Sequence, residues 1–351
     1  MKNRWSMGCL AALLVLCGGL SGCSGKEKPL EAFDVQYMDY FDTFTTVTIY
    51  AEDQKQFDGY TEILQENLEY YHRLFDIYNN YDDMNNIKTI NDNAGITPVQ
   101  VDQEILDLLE FARSEYQVTG GKMNVAMGSV LSIWHDYREM ASENPELAQV
   151  PPMNELVEAD KYTDIGQLQV DETASTVYLP VREMKLDVGA IAKGYATQRI
   201  TDKLREAGVT SALLNVGGNV ETIGKRGDGK DWKVGVQNPD TSSNQNYLNV
   251  VKLDDLALVT SGTYQRFYEV DGVRYHHIIN PDTLMPWNEY GSVTILCRDG
   301  GRADALSTAV FNMKLEDGKK LIESLEGVEA IWVLPDGTEV QSSGVKAFLV
   351  E

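Results

Sequence analysis

A chain of 351 residues, 43% hydrophobic and 24% charged, has the length and composition of a globular protein with a sizeable core, in one large domain or two smaller ones. Its formal net charge of −24 excludes nucleic acid and an anionic membrane surface as natural partners, because both repel it. A small anionic ligand stays open, since a local lysine, a divalent metal or helix N-termini reverse the field inside one cleft.

Lys2 and Arg4 precede an apolar run from Gly8 to Leu20, the pattern of a signal peptide and too short for a spanning helix. Leu20-Ser21-Gly22-Cys23 then resembles a lipobox. It implies a signal peptide over 1–22, a lipidated Cys23 with a tether over 23–36, and a functional domain over 37–351. The mature chain is expected on the extracytoplasmic face of the bacterial cytoplasmic membrane, held there by its lipid. Of four cysteines, Cys9 and Cys17 leave with the signal and Cys23 carries lipid. Only Cys297 remains, so no internal disulfide forms. Alternation through Val293-Thr294-Ile295-Leu296 makes it a buried small hydrophobe.

Thr43 to Tyr50 reads as a strand. Phe57 to Phe75 reads as a helix, with Ile63, Leu64, Leu68 and Tyr71 along one face. Turns rich in Asn and Asp follow, from Tyr78 to Asn93. Asp102 to Tyr116 is a second helix with Asp102 as its cap. Past Gly120-Gly121-Lys122-Met123-Asn124, an apolar helix runs through Trp134. Asn144 to Pro152 is a surface loop. Strands are expected at Ser211–Val216, Asn219–Ile223 and Trp232–Val236. Asp271-Gly272 joins Tyr264–Val270 to Val273–Ile279 in a hairpin. Another strand, Val293–Leu296, precedes a helix that begins near Ala303. Strands that come in hairpins as well as between helices argue for an α+β fold, a single large mixed domain with antiparallel hairpins and packed helices.

Three stretches carry chemistry. Leu186-Asp187-Val188-Gly189-Ala190-Ile191-Ala192-Lys193-Gly194 puts an acid, a base and two glycines where a strand gives way to a helix. Free backbone groups at such a turn hold a phosphate or a metal ion. The same residues equally describe a helix start with Asp187 as its capping acid. In Ala303-Asp304-Ala305-Leu306-Ser307-Thr308, Asp304 and Thr308 are four apart and share a helical face. A carboxylate and a hydroxyl suit Mg²⁺, or else a dipole-stabilising acid and a buried threonine. His276 and His277 are adjacent on a strand and face opposite sides, so they do not share a zinc ion. One of them is available as a general base, or else the pair is simply one exposed and one buried, hydrogen-bonded histidine.

Taken with Ala212–Asn219, Trp232–Pro239, Val259–Gly262 and His277–Pro281, these stretches resemble, in order, the ApbE family of FAD:protein FMN transferases. The resemblance implies a T-fold-like domain that binds FAD and Mg²⁺, moves FMN to a Thr or Ser hydroxyl of an acceptor protein and releases AMP. Acceptors in such a family are flavoprotein subunits of Rnf and Nqr type pumps and related extracytoplasmic redox proteins. It also implies roles: Asp304, Thr308 and the carbonyls of Ala190 and Ser307 as metal ligands; Phe41, Tyr78, Lys122, Met123, Asn124, Asp187, Lys193 and Ile278 on the flavin substrate; His277 as catalytic base. Phe41-Asp42-Thr43 stands where the family often has Met-Gly-Thr, Met123-Asn124-Val125-Ala126 where it often has Phe-Asp-Pro-Thr, and Leu284 where a Gly is common. Three other readings compete. They are a Mg²⁺-dependent FAD pyrophosphatase, a flavin-binding lipoprotein without chemistry, and a solute-binding lipoprotein.

Overall fold

The computed structural model describes residues 29–350. The leader, Cys23 and the polar segment to Lys28 lie outside them. Eight strands form one sheet and are neighbours in chain order: Glu31–Tyr37, Thr45–Ala51, Ala212–Val216, Asn219–Ile223, Ala257–Gly262, Ser292–Cys297, Glu329–Val333 and Glu339–Gln341. Every adjacent pair is antiparallel. Helices and smaller hairpins are inserted between these strands, which makes the α+β architecture. The first strand corrects the expected tether, because Glu31–Tyr37 pairs in full register with Thr45–Ala51. Its half-buried Phe33, Val35 and Tyr37 alternate with exposed residues, a period-two signal at the edge of the segment assigned to the tether.

Both faces of the sheet are covered. Val259 and Ile295 join a core with the helices Gln54–Leu74, Ala192–Glu206 and Gly300–Phe311. Their neighbours Leu258 and Leu296 point the other way, into a second cluster with Trp232, Val236, Val251 and Leu253. Those four residues belong to a separate hairpin, Trp232–Gln237 with Tyr247–Leu253. Two-sided cover explains why all six residues of Ser292–Cys297 are buried, Cys297 among them. Each fully buried Leu or Ile in these layers contributes about 1.5–3 kcal/mol.

A third cluster joins Met127, Val130 and Trp134 to Tyr268, Ile279 and Leu284. It docks the helix Gly128–Glu143 on the hairpin Phe267–Val270/Val273–His276, and the Trp134 indole donates to the Leu284 carbonyl at 3.0 Å. The turn residues Asp271 and Gly272 both have positive φ, as an Asp-Gly hairpin turn requires. Asp102 precedes its helix but makes no capping bond; its carboxylate accepts from the Tyr70 hydroxyl at 3.0 Å instead. The expected surface loop after residue 144 holds one short 3₁₀ turn, Pro145–Leu147. Among the described residues no helix is long and apolar enough to cross a membrane.

Candidate active site

A cavity of ≈ 560 Å³ opens where the inserted helices and hairpins meet the sheet, a volume typical of small-molecule sites. Two helices build its acidic corner. The Lys193 helix (Ala192–Glu206) has no side-chain cap of its own. Instead the Gly194 amide, in its first turn, donates to Asp304 Oδ2 at 2.8 Å. Asp304 therefore caps one helix from the middle of another, Gly300–Phe311, which Asp299 caps in turn through the Arg302 amide. Asp187 does not cap the Lys193 helix; its Oδ1 accepts the Gly189 amide at 2.9 Å within the preceding turn.

Asp304 is buried, and that burial raises its carboxyl pKa against the pull of Lys193 and of the Gly194 amide. Asp187 behaves alike: desolvation raises it, opposed by the Gly189 amide and by His135, Arg138 and Lys193. Two carboxyls held up by burial beside one lysine form a place where a cation lowers the energy. Thr308 and Ala190 line the same cavity. Among the described residues no three His, Cys, Asp or Glu side chains gather, so an ion here relies on a carboxylate, a hydroxyl and a carbonyl. Such a sparse set of hard oxygens fits Mg²⁺, which keeps waters and shares substrate phosphates. Ser307 is not among the residues lining the cavity, and its hydroxyl pairs with Ser261 Oγ at 2.8 Å and donates to the Asp304 carbonyl at 2.9 Å.

The two adjacent histidines divide as strand geometry requires. His276 faces the core and spends both ring nitrogens, Nε2 on the Trp287 carbonyl at 3.1 Å and Nδ1 on the Ile278 amide at 3.2 Å. Burial lowers its pKa to about 4. His277 lines the cavity. Its Nδ1 lies 3.3 Å from the Arg266 carbonyl, which can only accept, so the ring proton sits there and Nε2 carries the lone pair. Desolvation, then Arg266, His276, Arg138 and Lys193, push its pKa down to about 3. His277 is a neutral imidazole with a free basic nitrogen throughout the neutral range.

The remaining expected residues are distributed around the same space. Phe41, Tyr78, Lys122, Met123, Asn124 and Ile278 all line it. Lys122 is tied to Asp282 by an ion pair. The Asn124 amide is spent on the Thr163 carbonyl and the Ala126 amide, which shapes the wall. Phe41 accepts support from His72, whose Nδ1 takes the Phe41 amide at 3.1 Å. Arg138 and Arg266 also line the cavity and were missed in the sequence. Neither sits in one of the recognisable stretches. No local pattern marks them, because the helix and the hairpin that carry them are brought together by the long-range Trp134–Leu284 contact.

The ApbE family profile matches residues 41–332. The FAD:protein FMN transferase of Treponema pallidum is 32% identical over 97% of this chain and 94% of its own length. The crystal structure of the ApbE protein from Thermotoga maritima superposes with a TM-score of 0.80 at 28% identity, over 92% of this chain and 100% of that one. The flavin transferase ApbE from Vibrio cholerae gives a TM-score of 0.75 at 26% identity, over 91% and 100%. With its sheet, its Asp304 corner and its cavity-facing His277 in place, this chain belongs to the ApbE family.

Proposed function

We propose that this protein is a Mg²⁺-dependent FAD:protein FMN transferase, which joins the FMN half of FAD to a Ser or Thr hydroxyl of an acceptor protein and releases AMP. The observation that carries the reading is the neutral His277, its Nε2 free, in one cavity with Asp304 and Thr308. The His277 ring takes the proton of the acceptor hydroxyl as that oxygen bonds to the FMN phosphorus and the bond to the AMP oxygen breaks. Lys193 neutralises a phosphate oxygen, and Asp187 orders the turn that presents it. Asp304, Thr308 and the Ala190 carbonyl would hold Mg²⁺, which screens the charge that develops on the leaving phosphate. The flavin ring lies among Phe41, Tyr78, Met123, Asn124 and Ile278, with Lys122 at the edge.

On the lipobox alone we also propose that the protein is anchored through Cys23 outside the cytoplasmic membrane. Flavoprotein subunits of Rnf or Nqr type pumps, or related redox proteins, would be its acceptors. The decisive experiment incubates the chain from Ser24 onward with FAD, Mg²⁺ and such a purified subunit. Flavin fluorescence on the acceptor that survives denaturation, with matching AMP and sensitivity to EDTA, is the expected result. AMP with only free FMN makes the protein a pyrophosphatase, and bound FAD without AMP makes it a binding protein. Mass analysis of the mature N-terminus tests the anchor separately, and an unlipidated Cys23 overturns it.

A further inference from the structure

Two arginines, Arg138 and Arg266, line the cavity away from the Asp304 corner. Arg138 comes from the helix Gly128–Glu143 and Arg266 from the start of the hairpin that carries His277. Among the described residues neither arginine is within ion-pairing distance of a carboxylate, in a protein of net charge −24. Each is nevertheless held in place. Arg138 Nη2 donates to His135 Nδ1 at 2.8 Å, and His135 Nε2 meets Glu139 Oε1 at 3.0 Å. The Tyr78 ring packs on His135 with centroids 4.9 Å apart. Arg266 Nη2 reaches the Asp42 carbonyl at 3.4 Å, which ties the hairpin to the Phe41–Thr43 loop. Two guanidinium groups in one cavity repel each other and resist burial: burial and Arg266 lower the Arg138 pKa, against the opposing pull of Tyr78, Asp187 and Glu139. An arrangement that costs free energy when empty is stabilised by an anion, and guanidinium forks match phosphate oxygens.

Resting on the flavin-transferase reading, we propose that Arg138 and Arg266 form a clamp for the phosphate of the FMN half of the substrate, a subsite separate from the Asp304 corner. The clamp places the phosphorus that His277 serves and leaves the adenylate phosphate to Lys193 and the metal. Arg138 and Arg266 are thus binding residues, with Tyr78, His135 and Glu139 positioning the first of them.

The test compares FMN, riboflavin and AMP binding to the full mature chain in EDTA, by quenching of flavin fluorescence and, for AMP, by calorimetry. Riboflavin lacks only the phosphate. Wild-type protein should bind FMN about tenfold more tightly than riboflavin, the worth of one charge-assisted phosphate contact. Arg138→Gln and Arg266→Gln should each erase most of that preference, with riboflavin and AMP affinities within about twofold of wild type. The preference should also shrink as salt rises. Riboflavin affinity that falls in step with FMN makes the arginines part of the ring pocket and overturns the clamp. AMP that loses as much as FMN, or FMN binding unmoved in both variants, overturns it too. His277→Ala should keep the FMN preference, so a failure of the transfer mechanism does not imitate a failure of the clamp.

Discussion

Gly194 and Asp304 are joined twice, once by the 2.8 Å bond from the Gly194 amide and once by the absence of a side chain. A Cβ on Gly194 would lie 2.3 Å from the Gly300 carbonyl oxygen and 2.5 Å from Asp304 Cβ. Helix propensity alone would make alanine better than glycine by about 1 kcal/mol. The clash is with backbone and with the head of a second helix, which do not yield, so packing wins. Gly194→Ala should destabilise the protein by about 1–3 kcal/mol and move Asp304 out of position. Chemical denaturation and AMP release measure both, and a wild-type midpoint with full turnover would contradict the packing argument.

Asp304→Asn separates charge from structure. The amide oxygen of asparagine still accepts the Gly194 amide, so the helix cap survives, and a buried charge is removed. Thermal stability should hold or rise while FMN transfer falls about a hundredfold or more. Asp304→Ala should lose transfer as well, with about 1–3 kcal/mol of stability, because the Gly194 amide is then unpaired. Transfer at the wild-type rate in Asp304→Asn would remove the carboxylate from any part in holding a metal.

His277 makes a statement about acid. Its folded pKa of about 3 lies below the usual histidine value, so the unfolded chain binds a proton there that the folded chain refuses. Its contribution to stability is full above the unfolded value and is lost as pH falls from about 6.5 toward 3. In the proposed mechanism the base is neutral well below pH 7. The acid limb of kcat/KM for FAD should therefore not fall with a midpoint near the ordinary histidine value. His277→Ala should lose about a hundredfold or more at neutral pH. A wild-type limb centred near 6.5 would show that the cavity does not hold His277 neutral.

Glu221 is a buried carboxyl on the strand Asn219–Ile223, and among the described residues neither of its oxygens meets a hydrogen-bond donor. The Thr201 hydroxyl on the facing helix donates to the Thr197 carbonyl instead. Burial pushes the Glu221 pKa up to about 8. Between the unfolded value of 4.5 and about 8 the folded state holds a proton that the unfolded state gives up, so stability falls as pH rises through that window. Glu221→Gln should raise the melting temperature by a few degrees, about 2–4 °C per kcal/mol at this size, at pH 8.5 and leave it unchanged at pH 4. An equal shift at both values would make the effect one of packing rather than of the proton.

Much of the corner could be read from one dimension, because its residues sit in short runs where spacing fixes geometry. Asp304 and Thr308 share a face by helical period, and His276 and His277 separate by strand period. What the runs hide is long range. That Asp304 caps the Lys193 helix depends on two helices meeting across more than a hundred residues, and no local pattern encodes it. Arg138 and Arg266 belong together only through the Trp134–Leu284 contact. Two of the departures sit at positions of unusual backbone. Asp42 and Leu284 stand where glycine is common in such proteins, and both hold the left-handed conformation, with φ of 49° and 59°. A non-glycine residue pays about 1–2 kcal/mol there. Leu284 offsets it by burial against Trp134, and Asp42 by the Arg266 bond to its carbonyl.

The chain-order sheet also dictates when the pocket comes into being. Residues from Phe41 to Asn312 line it, and the two helices of its acidic corner have four of the sheet's eight strands between them in sequence. No hairpin or local fragment contains a working part of it, and folding has to close several long loops before flavin finds a seat. During synthesis the Asp304 helix emerges near the end, so substrate capture is among the last events of maturation. FAD added to a refolding chain should accordingly stabilise the finished protein by mass action without speeding its folding.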